Sequence, residues 1–198
     1  WQQRFDREKI NNLNFTYLNR KFQTEIRADY FLISNYHYLR ESTVIPNAVV
    51  PEQFGSNINL LKISLRKGFT FGKFNLDNFI VYQKTDFQDV LRTPELYSYN
   101  SLYFTNTFFK VLYANIGFDV RYNTPFVAPS YAININQFYN GPEVKFSNYP
   151  VVNVWLKATL KRASLFLRYD YLNQGLLREG YYTVNRYPMQ DALLKFGV

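Results

Sequence analysis

Apolar and polar residues alternate with a period of two through most of this chain. Over residues 22–32, Phe22, Thr24, Ile26, Ala28, Tyr30 and Leu32 share one face, and Gln23, Glu25, Arg27, Asp29 and Phe31 share the other. That period marks a β-strand whose two faces meet different surroundings. Residues 111–123 repeat it, with Leu112, Ala114, Ile116, Phe118, Val120 and Tyr122 set against Asn115, Gly117, Asp119, Arg121 and Asn123. Less contrasted versions occupy 10–18, 57–69, 97–108, 150–161, 164–172 and 190–198. In 57–69, Leu61, Ile63 and Leu65 oppose Lys62, Ser64 and Arg66. In 150–161, Val152, Val154, Leu156, Ala158 and Leu160 oppose Asn153, Trp155, Lys157 and Thr159. In 164–172, Leu165, Leu167, Tyr169 and Tyr171 oppose Ser164, Phe166, Arg168 and Asp170. Consecutive Phe79, Ile80 and Val81 leave the facing of 74–84 open. Nine strands are predicted, and no helix signature of any length is visible.

The connections between these segments alternate strictly between short and long. Short ones fall at 19–21, 70–73, 109–110 and 161–163; long ones at 33–56, 85–96, 124–149 and 173–189. Pro46, Pro51, Pro94, Pro125, Pro129, Pro142, Pro150 and Pro188 all lie in long connections or at the first residues of a strand. Proline cannot donate to a central ladder, so its placement supports the strand assignments. No linker or composition shift divides residues 1–198, which read as one domain.

Alternation alone also fits a soluble sandwich. Several of these strands run to about ten residues, where soluble strands average about five to six and a tilted bilayer-crossing strand needs roughly nine to eleven. The polar faces carry Glu25, Arg27, Asp29, Lys62, Arg66, Asp119, Arg121, Lys157, Arg168 and Asp170, which a sandwich interior would not accept. Short turns at one end and long loops at the other is the asymmetry of outer-membrane barrels. The pattern therefore predicts an all-β fold: an antiparallel transmembrane β-barrel, multi-pass in the outer membrane of a Gram-negative bacterium. The ten charged residues are then expected to line a lumen. Tyr17, Phe22, Phe71, Phe74 and Phe109 near the short turns, and Tyr36, Tyr38, Tyr82, Tyr122, Phe126 and Tyr149 near the long loops, are expected to form two aromatic girdles. Bacterial single-chain barrels have even strand numbers. Nine strands therefore suggest that these are the C-terminal strands of a larger barrel, with at least one strand ahead of Trp1.

Composition sharpens the picture. The 198 residues include 18 Tyr and 19 Phe, yet the chain is only 47% hydrophobic and its mean hydropathy is −0.31. Averaging a lipid-facing half with a water-facing half produces that result. No apolar run is long enough for a transmembrane helix, and the absence of Cys excludes disulfides and thiolate sites. The net charge is +8. Basic lumen residues would favour anions, although charges on neighbouring strands often neutralise each other. Arg40 and Arg178 are candidates for lipopolysaccharide phosphates; Arg20, Lys21, Lys73, Lys110, Lys161 and Arg162 sit in the short turns. His37 with Ser34 or Ser42 is a weak hydrolase candidate, since nearness in sequence does not supply an oriented base. No catalytic residue, metal site or cofactor is expected. No nucleic-acid motif is visible.

Several segments resemble the β-barrel porins of Bacteroidota, from about residue 58 to the end. They are Phe71–Asn78 with Val81–Lys84, Asp119–Thr124, Ala128–Tyr131, Asn148–Leu156 with Leu160–Ala163, and Tyr187–Asp191 followed by Lys195–Val198. Members of that family are longer and continue past the Phe-Gly of the last strand with a further aromatic residue. The resemblance implies a channel for passive diffusion of small hydrophilic solutes. The alternative is a non-conducting barrel that serves as a scaffold in an outer-membrane assembly or secretion complex. Outer-membrane lipids, lipopolysaccharide, solutes and complex subunits are the partners these readings imply.

Overall fold

Residues that alternate in sequence do so in space. The computed structural model describes residues 4–45, 48–145, 149–176, 182–185 and 187–198. Nine strands form one antiparallel sheet: β1 (Lys9–Asn19), β2 (Thr24–Ser34), β3 (Ile58–Phe71), β4 (Phe74–Thr85), β5 (Leu96–Phe108), β6 (Leu112–Asn123), β7 (Val151–Leu160), β8 (Ala163–Asp170) and β9 (Leu193–Gly197). Their order in the sheet is their order in the chain, an unbroken meander. Each predicted segment supplies one strand. The last two are shorter than expected: β8 stops at Asp170 and β9 starts only at Leu193. Among the described residues the sheet is open, with β1 and β9 at its edges. Trp1, invoked above for strand counting, lies outside the described residues.

Register makes the faces continuous. Leu13 lies opposite Tyr30, Tyr30 opposite Leu61, and Leu61 opposite Lys84. On the other face Glu25, Arg66, Phe79, Tyr99, Arg121 and Val151 form one row across six strands. The ambiguous stretch resolves here: Ile80 joins the apolar face, while Phe79 and Val81 join the polar one. The usual burial is inverted. Asp119 is 1% exposed and Asp29 3%, whereas Leu13 is 74%, Ile116 46% and Phe118 41% exposed. No second sheet of comparable size covers the polar face among the described residues. Polar side chains that bury one another without a packing layer are what curvature toward their own face produces. Leu13, Phe15, Leu61, Ile63, Ile116 and Leu165 are all exposed along this face, a contiguous apolar surface of the kind soluble monomers avoid.

The four short connections all fall at one end. The β3–β4 hairpin closes through two residues, and Gly72 takes φ +62° at the first of them, a position that selects glycine. The β7–β8 hairpin asks the same of Lys161 (φ +52°), and the β5–β6 turn places both Phe109 and Lys110 at positive φ. These non-glycine residues hold a strained backbone.

The long connections gather at the opposite end and are not plain loops. His37–Glu41 pairs with Val49–Gln53, Ser130–Ala132 with Gln137–Tyr139, and Tyr182–Val184 with Tyr187–Pro188. The β-branched and aromatic residues in these stretches favour such pairing. Pro51 thus sits in a two-stranded edge ribbon, and Pro46 lies outside the described residues. Asn140 donates its backbone N–H to the Leu39 carbonyl (2.7 Å) and receives the N–H of Glu41 (3.2 Å). Its side-chain amide donates to the Val90 carbonyl (2.8 Å), and Arg92 donates to the Gly141 carbonyl (2.9 Å). Three long connections are thereby tied together.

An arginine at Ile63, on the apolar face of β3, should destabilise the protein in a lipid bilayer by about 2–4 kcal/mol. Arginine at the adjacent Ser64, on the polar face, should change stability far less. Urea unfolding from vesicles, followed by tryptophan fluorescence, measures both.

Candidate functional site

The polar face collects chemistry from eight strands. All ten charged residues expected to share a face do so: Glu25, Arg27 and Asp29 on β2; Lys62 and Arg66 on β3; Asp119 and Arg121 on β6; Lys157 on β7; Arg168 and Asp170 on β8. Asp77 on β4 and Lys195 on β9 share it too and were not singled out from the sequence. Lys195 was legible, since it alternates with Leu194 and Phe196. Asp77 adjoins the Phe79–Val81 run that obscured the facing of β4.

A buried carboxylate must be surrounded by donors, and the three most buried aspartates are. Arg27 donates to Asp29 through Nε (2.8 Å) and Nη2 (2.9 Å). Asp119 receives Ser101 Oγ (2.7 Å), Trp155 Nε1 (2.8 Å) and Arg168 Nη1 (3.1 Å). Asp170 receives Arg168 Nε (2.6 Å) and Lys195 Nζ (2.7 Å). One network therefore crosses β5, β6, β7, β8 and β9, with Arg168 bridging two carboxylates. Sequence pattern put Trp155 on this face but could not show that its N–H serves Asp119.

Gly117 makes part of that network possible. It lies directly opposite both Tyr103 and Trp155, whose ring centroids approach to 5.7 Å. A Cβ on Gly117 would lie 2.5 Å from Tyr103 Cβ and 2.6 Å from the Leu102 carbonyl oxygen. The bare backbone leaves room for the rings beside it, as edge aromatics cover glycines elsewhere in sheets.

The remaining basic groups are differently placed. The Arg66 guanidinium sits 4.8 Å from the Phe79 ring centroid, and Lys157 Nζ 5.6 Å from that of Trp155. Lys62 lies opposite Asp29, and Arg121 opposite Tyr99. Among the described residues, no ion pair joins Lys62, Arg66, Arg121 or Lys157 to a carboxylate. The described residues contain no cluster of potential metal ligands.

The aromatic candidates divide into three groups. Phe71 and Phe74 lie opposite each other on the apolar face at the short-turn end. There they meet Phe69 (6.1 Å from Phe71) and Phe104 (5.2 Å from Phe74). Tyr17 shares this face, Tyr122 occupies it at the other end, and Phe22 and Phe109 sit in short turns. Tyr36 and Tyr38 are off the sheet. They stack at 6.2 Å and line a cavity of about 340 Å3 among the long connections, with His37, Arg92 and Tyr139. Burial there pushes the Tyr36 phenol up and the Arg92 guanidinium down. Tyr149 lies in the connection preceding β7.

His37 is held by loop residues. Its Nδ1 is 3.5 Å from Glu8 Oε2, its Nε2 is 3.0 Å from Gln53 Nε2, and Phe5 packs against its ring. Among the described residues no hydrogen bond joins it to Ser34 or Ser42; Ser42 Oγ instead accepts the N–H groups of Val44 and Ile45. Arg40 pairs with Glu52 in the loop ribbon, and Arg178 lies outside the described residues.

An antiparallel meander with one long charged face and one long exposed apolar face matches the sheet of a porin-like protein. A family model described as "Putative porin" matches residues 1–198, and the chain belongs to that family. The match extends the resemblance, read from residue 58 onward, to the whole chain. No curated protein and no solved structure matches it. No helix of the described residues is long and apolar enough to cross a membrane.

Replacing Asp119 with alanine strands the Trp155 N–H and one arm of Arg168, and should destabilise the protein by about 1–3 kcal/mol. Gly117→Ala forces backbone movement and should cost a similar amount, about 1–3 kcal/mol. Thermal unfolding in detergent, read by near-UV circular dichroism of Trp155, measures both.

Proposed function

We propose that this protein forms part of the wall of an outer-membrane channel through which small hydrophilic solutes diffuse, with a mild preference for anions. The observation that carries the reading is the unequal neutralisation of charge on the polar face. The three buried aspartates are enclosed by donors, whereas among the described residues Lys62, Arg66, Arg121 and Lys157 form no ion pair and outnumber the unpaired acids of this face, Glu25 and Asp77. Fixed side chains of one sign along a water-filled passage set ion preference. The apolar face with its aromatic cluster around Phe71 and Phe74 suits contact with lipid. Phe109, exposed at the tip of a short turn on a left-handed backbone, has nothing in water to offset its strain and suits insertion among lipid headgroups. Lipid and lipopolysaccharide are accordingly the proposed surroundings.

One observation favours the scaffold alternative. The long connections are tied to one another through Asn140 and Arg92, and such a cap could close the mouth. A closed barrel would then act by holding partner subunits rather than by conducting.

Planar-bilayer recordings separate the two. The full-length protein should give stepwise conductance, and its reversal potential in a KCl gradient should take the sign of chloride preference. The double variant Lys62→Glu, Arg121→Glu should shift that potential toward potassium. Cation preference in the unaltered protein would remove the anion reading, and lack of conductance would favour the scaffold.

A further inference from the structure

A second cavity, of about 490 Å3, opens on the polar face near the short-turn end. Arg66, Asp77, Phe79 and Tyr99 contribute to its walls, together with Gln23 from the β1–β2 turn. Register explains the grouping. Phe79 lies directly opposite both Arg66 and Tyr99, so a guanidinium and two aromatic rings stand in one row, and Asp77 is two positions along β4.

These groups differ in how free they are to meet a ligand. Arg66 lies opposite Glu25, yet among the described residues forms no ion pair, and it rests over the ring of Phe79. A guanidinium that rests over a ring rather than on a carboxylate keeps N–H donors for an incoming carboxylate. The Phe79 ring meets Tyr97 edge-on at 6.3 Å, which supports it from the side away from Arg66. Asp77 puts a carboxylate on the same wall as Arg66.

We infer that this cavity is a binding subsite for monoanionic aromatic carboxylates. The carboxylate would meet Arg66 edge-on, the ring would pack against Phe79 and Tyr99, and Asp77 would repel a second negative charge. The inference rests on the proposed channel reading only for its biological use; the binding itself does not depend on conductance.

Benzoate is the probe, titrated into the full-length protein in detergent and observed by saturation-transfer NMR. Benzoate should bind about tenfold more tightly than acetate, which lacks the ring, or terephthalate, which carries a second carboxylate. Arg66→Gln should weaken benzoate about tenfold, and Arg66→Lys, which preserves charge but not the planar fork, should recover only part of that loss. Phe79→Leu should erase the advantage over acetate. Equal binding of benzoate and acetate, or Arg66→Gln binding benzoate as the parent does, would overturn the subsite. In bilayers, benzoate should reduce single-channel current in a manner lost in Arg66→Gln. A protein that binds benzoate but never conducts would leave the subsite standing and overturn the channel.

Discussion

The structure depends on register. Side chains in a sheet alternate strictly, so a slip of one residue between any two strands would exchange the faces from that point onward. Here such a slip would set Asp119 in line with Leu102 and Val154, and carry Ile116 and Phe118 onto the charged side. The short hairpins fix register locally, at Phe71 opposite Phe74 and Leu160 opposite Ala163. The polar network fixes it again in mid-sheet, because Asp119 can collect Ser101, Trp155 and Arg168 in only one alignment. Turn geometry and ion pairs at buried carboxylates thus specify the same arrangement by independent means.

That network also decides the character of the charged face. The charged residues of the face number seven basic and five acidic. Geometry separates the charges into two populations. Asp29, Asp119 and Asp170 are enclosed and face donors, while several lysines and arginines lie on aromatic rings or opposite neutral partners. The paired groups cancel, so the positive excess of the face rests on Lys62, Arg66, Arg121 and Lys157 set against Glu25 and Asp77. Salt bridges here serve alignment, and the cations outside them serve the surface.

Much of the fold was legible in the sequence because period two is a local signal. Strands β2 and β6 could be read residue by residue, with the correct faces. The facing of β4 could not, since Phe79 and Val81 occupy the polar face beside Ile80. Their placement follows from Arg66 and Tyr99 across the ladder, and those are contacts between distant residues. The same limit hid Trp155 as a ligand of Asp119 and Gly117 as the gap that admits two rings. The loop ribbons escaped notice because strands of three to five residues carry too little periodicity. Tyr36 and Tyr38, placed by proximity in a rim band, prove to pack within the loop assembly instead.

The meander has a consequence for how such walls change over time. Every strand pairs only with the strands before and after it in the chain, so a hairpin is a self-contained unit of construction. Duplicating or deleting one, from long connection to long connection, would leave every other pairing intact and would not invert either face. The number of strands can thus vary in steps of two while local geometry is inherited. A residue row such as Arg66, Phe79, Tyr99 and Arg121 spans two adjacent hairpins, and its junction is where such a step would be felt.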